Sequence, residues 1–596
     1  MREICDTEIA WIGLDYFKRG LIVFGLFLVI LFPSSVDVVY SQQVAVASQS
    51  GPVVPHDRYE INFKLDLDEK RFTGTERVRW TNRSDRSTAV LYFHLYANLR
   101  SQANAPEIDE PRLDVIEVQA AGTSSPLPFA IDEQGTTLRV SLRGSVAAGA
   151  STEVLITFKG TVPEIDAEET GILAHIIQQV DAVLRSEQET RRARDINFRC
   201  RDVTLLGAAY PVLAARDGED WQRKVESSIG DALFADVADY RVKIESTPEA
   251  NVYTSGVSVN PRAEGANERV FTGEALRTFA IVAGRNLRSL ERDVAGVRVR
   301  SIFTAEREVV GKRVLDIAVT AMQSFAARFG ELSYKEISIV EAPLVAGLGG
   351  AEFSGISAVA SALYVDFDSR TIRNLPEIVR EQRQSVEDSL EWTVAHAVAQ
   401  QWWGSTVGND PERTPVLDEA LSNWSALLYY KEACGEERAA LAQEDQLRGV
   451  YRIYRTFGGE DLPADRAARE YRSFFQYAAI VNTKGALMFR ALRELIGDEK
   501  FFSALRSYYK ANAFEVAEMD DLRGAFIAEA PLAKRRAVTR IFQRWLSGRH
   551  GDEDIAPPDS ELAAALGIDL NAQKRGDRNA FARLGRFFWQ QMTRIR

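Results

Sequence analysis

Histidine and cysteine, the usual ligands of a metal centre, are both scarce in this chain. Among 596 residues there are five histidines, His56, His94, His175, His396 and His550, and three cysteines, Cys5, Cys200 and Cys434. So few histidines limit any histidine-rich metal site. The cysteines are far apart and none belongs to a CxxC pair, which excludes both a thiolate zinc site and a disulfide framework. Long apolar runs are equally rare, and beyond the N-terminus no segment is apolar enough to span a bilayer. Positive charge is in deficit: the net charge is −12. A nucleic-acid role is therefore not expected, because phosphate binding wants a basic surface.

What is present begins with Lys18 and Arg19, the apolar run Leu21–Phe32 and Pro33. That order is the signature of a secretory signal and is short for a span of roughly 20 residues. Cleavage after Ser41 or Ala47 fits, and an uncleaved anchor is the alternative, so 1–47 is assigned as a signal peptide or signal anchor. The chain is expected to be exported to the periplasm or the cell exterior, or held at a membrane by this segment.

Residues 51–250 alternate as half-buried strands do. Tyr59, Ile61, Phe63, Leu65 and Leu67 are spaced by two, and Gly74–Trp80, Val90–Tyr96, Thr152–Phe158 and Tyr240–Ser246 continue the pattern. A charged helical insertion is expected near 167–194. His94, in YFHLY, reads as a packed strand residue. From about residue 290 the period lengthens. Val309–Phe329 is an amphipathic helix stopped by Gly330, and Glu336–Glu341 is a short strand leading into Gly349-Gly350-Ala351-Glu352. A glycine-rich strand edge admits a second backbone, and Glu352 could meet a ligand's positive end there. Residues 435–475 read as charged and helical, and Tyr477–Leu495 as an apolar-faced helix. Beyond Pro557-Pro558, residues 574–596 hold seven Lys/Arg, one acid and an aromatic face. Such a helix rests on anionic lipid, on a partner, or on its own domain.

The most informative stretch is Glu391–Glu419. Zinc peptidases carry HExxH on one helix, then eighteen residues, then Glu, because histidines one turn apart share a face and the intervening glutamate lies beside the metal. Here His396 is followed by Ala397, Gln400 stands at the second histidine, and Glu419 falls at the distal position. Hydrolysis needs three protein ligands, a bound water and a carboxylate base. Ala397 cannot accept a proton, and the amide of Gln400 is a poor zinc ligand. His396 and Glu419 alone fall short of a tight site.

Taken together, residues 52–548 resemble the gluzincin aminopeptidases, the zinc family that includes membrane alanyl aminopeptidase and leukotriene hydrolase. His396–Gly404, HAVAQQWWG, is similar to that family's HELAHQWFG. Gly349, Gly350, Ala351 and Glu352 resemble its exopeptidase motif, which implies that Glu352 holds a substrate's free amino group. Asp418-Glu419-Ala420 resembles its NEG ligand motif. Asn482-Thr483-Lys484-Gly485 resembles YxKG, with Asn482 in place of the oxyanion tyrosine; Tyr477 matches a family position that is not the catalytic one.

The resemblance implies an α+β multidomain chain: an antiparallel β saddle over 52–288, a thermolysin-like, mostly helical peptidase-type domain over 289–548, and a linker with a basic helical tail over 549–596. The expected function is an inactive aminopeptidase-like protein, a pseudoenzyme that binds a peptide or protein N-terminus without a resident cofactor, zinc being weak if bound. The alternatives are an active zinc aminopeptidase whose shell is completed by Gln400, Asp418 or water, and a membrane-associated scaffold docking through 574–596.

Overall fold

Strict alternation of buried and exposed side chains organises the first half of the fold. The computed structural model describes residues 56–99, 112–123, 125–184, 196–217, 220–225, 229–259, 268–374, 380 and 382–566. The leader at 1–47, the tail at 574–596 and residues 185–194 of the expected insertion lie outside them. No described helix is long and apolar enough to cross a membrane.

Strand β1 (Asp57–Asp66) buries every second residue. It pairs antiparallel with β2 (Arg71–Thr81), which pairs antiparallel with β3 (Ser151–Thr161). On the other edge of β1, β4 (Ala238–Ser246) runs parallel, with Asp57 opposite Ala238 and Leu65 opposite Ser246. This parallel pair departs from the all-antiparallel expectation. Parallel neighbours need a long crossover, and most of the β region lies between these two strands. His94 ends the strand Thr88–His94, opposite Val212, and is 1% exposed. Burial lowers its pKa to about 4, so it packs as a neutral ring.

Between β3 and the strand Asn197–Cys200 stands α1 (Ile172–Leu184). It is tied to the second half of the chain: His175 Nε2 lies 3.3 Å from the Leu344 carbonyl, and just before the helix Glu169 O accepts from Ala346 N.

That second half is built on a five-stranded sheet. An edge strand, Leu287–Val294, leads into β5 (Val297–Thr304), β6 (Glu336–Ala342), β7 (Gly350–Phe353) and β8 (Ile356–Ala360). β5, β6 and β8 are parallel neighbours, and β7 closes the edge antiparallel to β8. Helix α2 (Glu308–Phe329) makes the crossover from β5 to β6 and stops at Gly330, whose φ of 113° a side chain would resist.

Helix α3 (Arg383–Ala399) buries Val386, Leu390, Val394 and Val398, one per turn, and packs between α2 and α4 (Val416–Ala433). It ends at Ala399. The amides of Trp402 and Trp403 both turn back to the Ala399 carbonyl, and Gly404 has φ 105°.

Helical structure after α4 continues only to the end of α5 (Gly449–Thr456), not through residue 475. Gly458, at φ 87°, and Pro463 break it. The chain resumes at α6 (Phe474–Tyr477), passes through a π-helical stretch, Ala478–Lys484, and continues as α7 (Gly485–Ile496). Lys484, 1% exposed at its side chain, donates to Asp461 Oδ1 at 2.9 Å, Leu462 O at 2.9 Å and Gly548 O at 2.8 Å. It thereby ties this helix to the segment that follows the last long helices.

One residue breaks the apolar pattern of β2. Glu76 points inward between Gly74 and Val78, is 0% exposed, and neither of its carboxyl oxygens has a hydrogen-bond partner. Its neighbours across the ladder are Ile61 and Ile156. Burial pushes its pKa well above the carboxylate range. A group protonated in the folded chain but ionised when unfolded lowers stability as pH rises from the ordinary glutamate value towards the raised one. Glu76→Gln removes that loss. Urea unfolding is expected to find the variant more stable than wild type by about 1–3 kcal/mol at pH 8, with the gap closing near pH 4. Equal stability at pH 8 would contradict this reading.

Candidate functional site

Glu352 is positioned by a hairpin. β7 pairs with β8 so that Glu352 lies opposite Ser357. A Cβ on Gly350 would fall 2.5 Å from Glu352 Oε1. Glycine at that position therefore lets the Glu352 carboxyl fold back over its own strand. Gln401, just past α3 and 1% exposed, clamps the hairpin. Its Oε1 accepts from Gly355 N at 2.8 Å, and its Nε2 donates to Phe353 O and Ser357 Oγ, each at 3.2 Å. Nothing in the spacing of the sequence singled out Gln401, because its partners lie more than forty positions away.

His396, Ala397 and Gln400 are held at the end of α3. The crossing with α4 is fixed by Trp392 Nε1, which donates to Asn423 Oδ1 at 3.2 Å, while Asn423 Nδ2 donates to Glu419 O at 2.8 Å. This brings His396 Nε2 to 3.8 Å from Glu419 Oε2. The Gln400 amide nitrogen lies 3.5 Å from the same imidazole nitrogen. A Cβ on Gly404 would fall 2.5 Å from Gln400 Oε1, so the amide lies against the chain's turn out of the helix. Ala397 is wholly buried, its methyl offering no acceptor.

The other predicted positions sit further round. Asn482 is half-buried in the π-helical stretch, and its Oδ1 has no hydrogen-bond partner. Helical spacing that widens to five residues re-aims a side chain, and such stretches recur at functional sites. Tyr477, one turn earlier and 1% exposed, places its hydroxyl 2.8 Å from where a Cβ on Gly230 would be, next to Asp231.

A cavity of about 70 Å³ opens between the β region and the helices, with Glu352, Gln400, Asp418, Asp231 and Arg277 in its lining. His396, Glu419 and Asn482 do not line it. Asp418, 5% exposed, accepts from Asn409 Nδ2 at 2.9 Å. Burial, reinforced by the nearby Asp231 carboxylate, pushes its pKa up to about 7.

Zinc requires three protein donors and an open position. His396 and Glu419 supply two that face each other, and the third position holds a neutral amide. No three His, Cys, Asp or Glu side chains converge among the described residues. This donor set does not fit a tightly held zinc.

Comparison with known proteins places this frame. Residues 372–545 match the Peptidase family M1 domain. That segment is similar to peptidase family M1. The whole fold is similar to the M1 zinc metallopeptidase of Deinococcus radiodurans, with a TM-score of 0.55 at 16% identity over 83% of this chain and 94% of that one. A mutant of that metallopeptidase bound to Tyr-Ser-Ala substrate gives a TM-score of 0.54 at 15% identity over 84% and 96%. Two rice (Oryza sativa subsp. japonica) proteins match in part. Aminopeptidase M1-D is 27% identical over 139 residues, 23% of this chain and 16% of its own, and Aminopeptidase M1-B is 29% identical over 131 residues, 22% and 15%. The match thus spans about a sixth of the length of these curated relatives.

The matched segment is joined to the β region by Arg277, a residue with no signal in the sequence. Its buried guanidinium donates across the seam to Ser405 O at 2.9 Å, Thr406 O at 3.4 Å and Glu515 O at 2.8 Å, and on its own side to Ala235 O at 3.1 Å. A Cβ on Gly408 would fall 2.1 Å from its central carbon. Arg277→Met takes the donor from the Ser405 and Ala235 carbonyls, while Thr406 O and Glu515 O keep the Phe514 and Gly408 amides. Urea unfolding is expected to show a loss of about 2–4 kcal/mol, and Gly408→Ala is expected to destabilise as well. A loss under 0.5 kcal/mol for Arg277→Met would show that the seam does not rest on this side chain.

Proposed function

We propose that this chain is an exported pseudo-aminopeptidase, which holds the N-terminus of a peptide or protein in a remnant M1 cleft without cutting it. The observation that carries the reading is the pairing of a retained anchor with missing chemistry. Glu352 lines the cleft, where a carboxylate suits an α-ammonium group. Ala397 and Gln400 meanwhile occupy the positions of base and metal ligand. Asn482 replaces the oxyanion tyrosine, and losing one such donor typically costs 10²–10³ in rate. A neighbour of the same fold was captured as a mutant bound to Tyr-Ser-Ala substrate, which supports peptide capture by a cleft altered from the parent enzyme.

In this reading the residues bind and orient. Glu352 takes the free amine, and Gln401 holds the Glu352 hairpin against α3. The competing reading, an active zinc aminopeptidase with Gln400, Asp418 or water completing the shell, draws on Asp418 lining the same cleft.

Two measurements test the proposal. A peptide with a free N-terminus is expected to bind at least tenfold, about 1.4 kcal/mol, more tightly than its acetylated form, and Glu352→Gln is expected to abolish the difference. Equal binding of both forms by wild type would sink the anchor role. In the second, Ala397→Glu, Gln400→His and Asn482→Tyr are made together. Zinc binding and turnover of aminoacyl substrates are expected only in the triple variant; turnover already present in wild type would support the competing reading instead.

A further inference from the structure

A second cavity, of about 550 Å³, opens at the carboxyl ends of the parallel strands. Thr304 ends β5, Glu341 is next to last in β6, and Ser361 follows β8; all three line it. In open sheets of parallel strands, ligands bind in the crevice beyond the carboxyl ends, enclosed by the loops that leave the strands. The facing wall is the turn at 200–203 in the β region. None of its lining residues belongs to the cleft that holds Glu352.

A carboxylate and a guanidinium meet in this lining. Glu341 is 3% exposed. Its Oε2 accepts from Thr304 N and from Thr304 Oγ1, each at 2.9 Å. Its Oε1 lies 4.0 Å from Arg307 Nε, too far for a hydrogen bond. Arg307 Nη1 donates to Tyr364 O at 2.5 Å, which holds the guanidinium in place. Burial raises the pKa of Glu341, while the Thr304 hydrogen bonds and Arg307 pull it down. Arg307 also stands at the start of α2, an end that no side chain caps, so the helix dipole adds to its positive charge. The other carboxylates of the lining already serve the fold. Asp202 Oδ2 accepts from Asn286 N at 2.6 Å, Glu306 Oε1 from Asn286 Nδ2 at 2.7 Å, and Asp366 Oδ1 from Asp368 N at 3.0 Å.

We propose that this cavity binds a free α-amino acid with an aliphatic side chain, its ammonium on Glu341 and its carboxylate on Arg307. Such a ligand carries both charges on one carbon, with its nitrogen and nearest oxygen roughly 3 Å apart. It therefore bridges an acid and a guanidinium held 4.0 Å apart. A simple amine would meet Glu341 but be repelled by Arg307, and a simple carboxylate the reverse. Each pole gains a charge-assisted hydrogen bond, which offsets its loss of water. Val203, Pro343 and Ile372 supply an apolar wall for the side chain. The volume lies within the range of about 300–1,000 Å³ that small-molecule sites occupy. The site does not depend on whether the cleft binds peptide.

Isothermal titration of the full chain with L-leucine tests this. Wild type is expected to bind L-leucine, and to bind L-leucinamide and N-acetyl-L-leucine roughly tenfold more weakly or worse, since each lacks one charge. Glu341→Gln and Arg307→Gln are expected to weaken L-leucine binding by a similar factor. Glu352→Gln, which alters the cleft, is expected still to bind one L-leucine per chain. The blocked ligands probe both poles on the unaltered chain, whether or not the variants fold. No binding of L-leucine at about 10 mM, or equal binding of L-leucine and L-leucinamide, overturns the proposal. Binding lost in Glu352→Gln but kept in Arg307→Gln assigns the amino acid to the cleft and overturns it as well.

Discussion

The crossing of α3 and α4 is the constraint on which the cleft depends. Trp392 and Asn423 lock the two helices, and that lock sets His396 beside Glu419. Gln401 extends the arrangement sideways by holding the β7–β8 hairpin to the end of α3. Glu352, His396, Gln400 and Glu419 thus belong to one rigid frame built from buried hydrogen bonds. Each is costly to leave unmade, so the frame can persist whatever chemistry it serves.

Scaffold and reaction separate at this point. The positions that shape the cleft are filled by side chains able to do the shaping: glycine where Glu352 folds back, glycine where the chain turns away from Gln400, and a buried arginine across the seam. In the proposed reading, the positions that would do chemistry are filled by side chains that cannot: an alanine methyl in the place of a base, an amide in that of a metal ligand, and a short amide in that of a phenol. The two kinds of position obey different constraints, because stability acts on the first and turnover on the second.

How much of this could be read from the sequence follows the range of the interactions. The periods of β1, α2 and α3 are local, and the i, i+4 relation of His396 and Gln400 needs nothing beyond helix geometry. The burial of His94 was legible for the same reason. The parallel pairing of β1 with β4 was not, because partners so far apart leave no local pattern. Arg277 and Gln401 escaped notice for the same cause, since each acts on backbone groups from distant segments. The helix expected through residue 475 failed where Gly458 and Pro463 outweighed a charged, helix-like composition. The π-helical stretch around Asn482 keeps the apolar pattern of an ordinary helix and is invisible to a 3.6-residue period.

The claim that the frame outlives its metal chemistry meets its most direct test in the purified full chain. Zinc content after dialysis is measured alongside turnover of aminoacyl reporter substrates. This account predicts well under one zinc per chain and no turnover that depends on His396. One tightly held zinc per chain, with turnover abolished by His396→Ala, would contradict it.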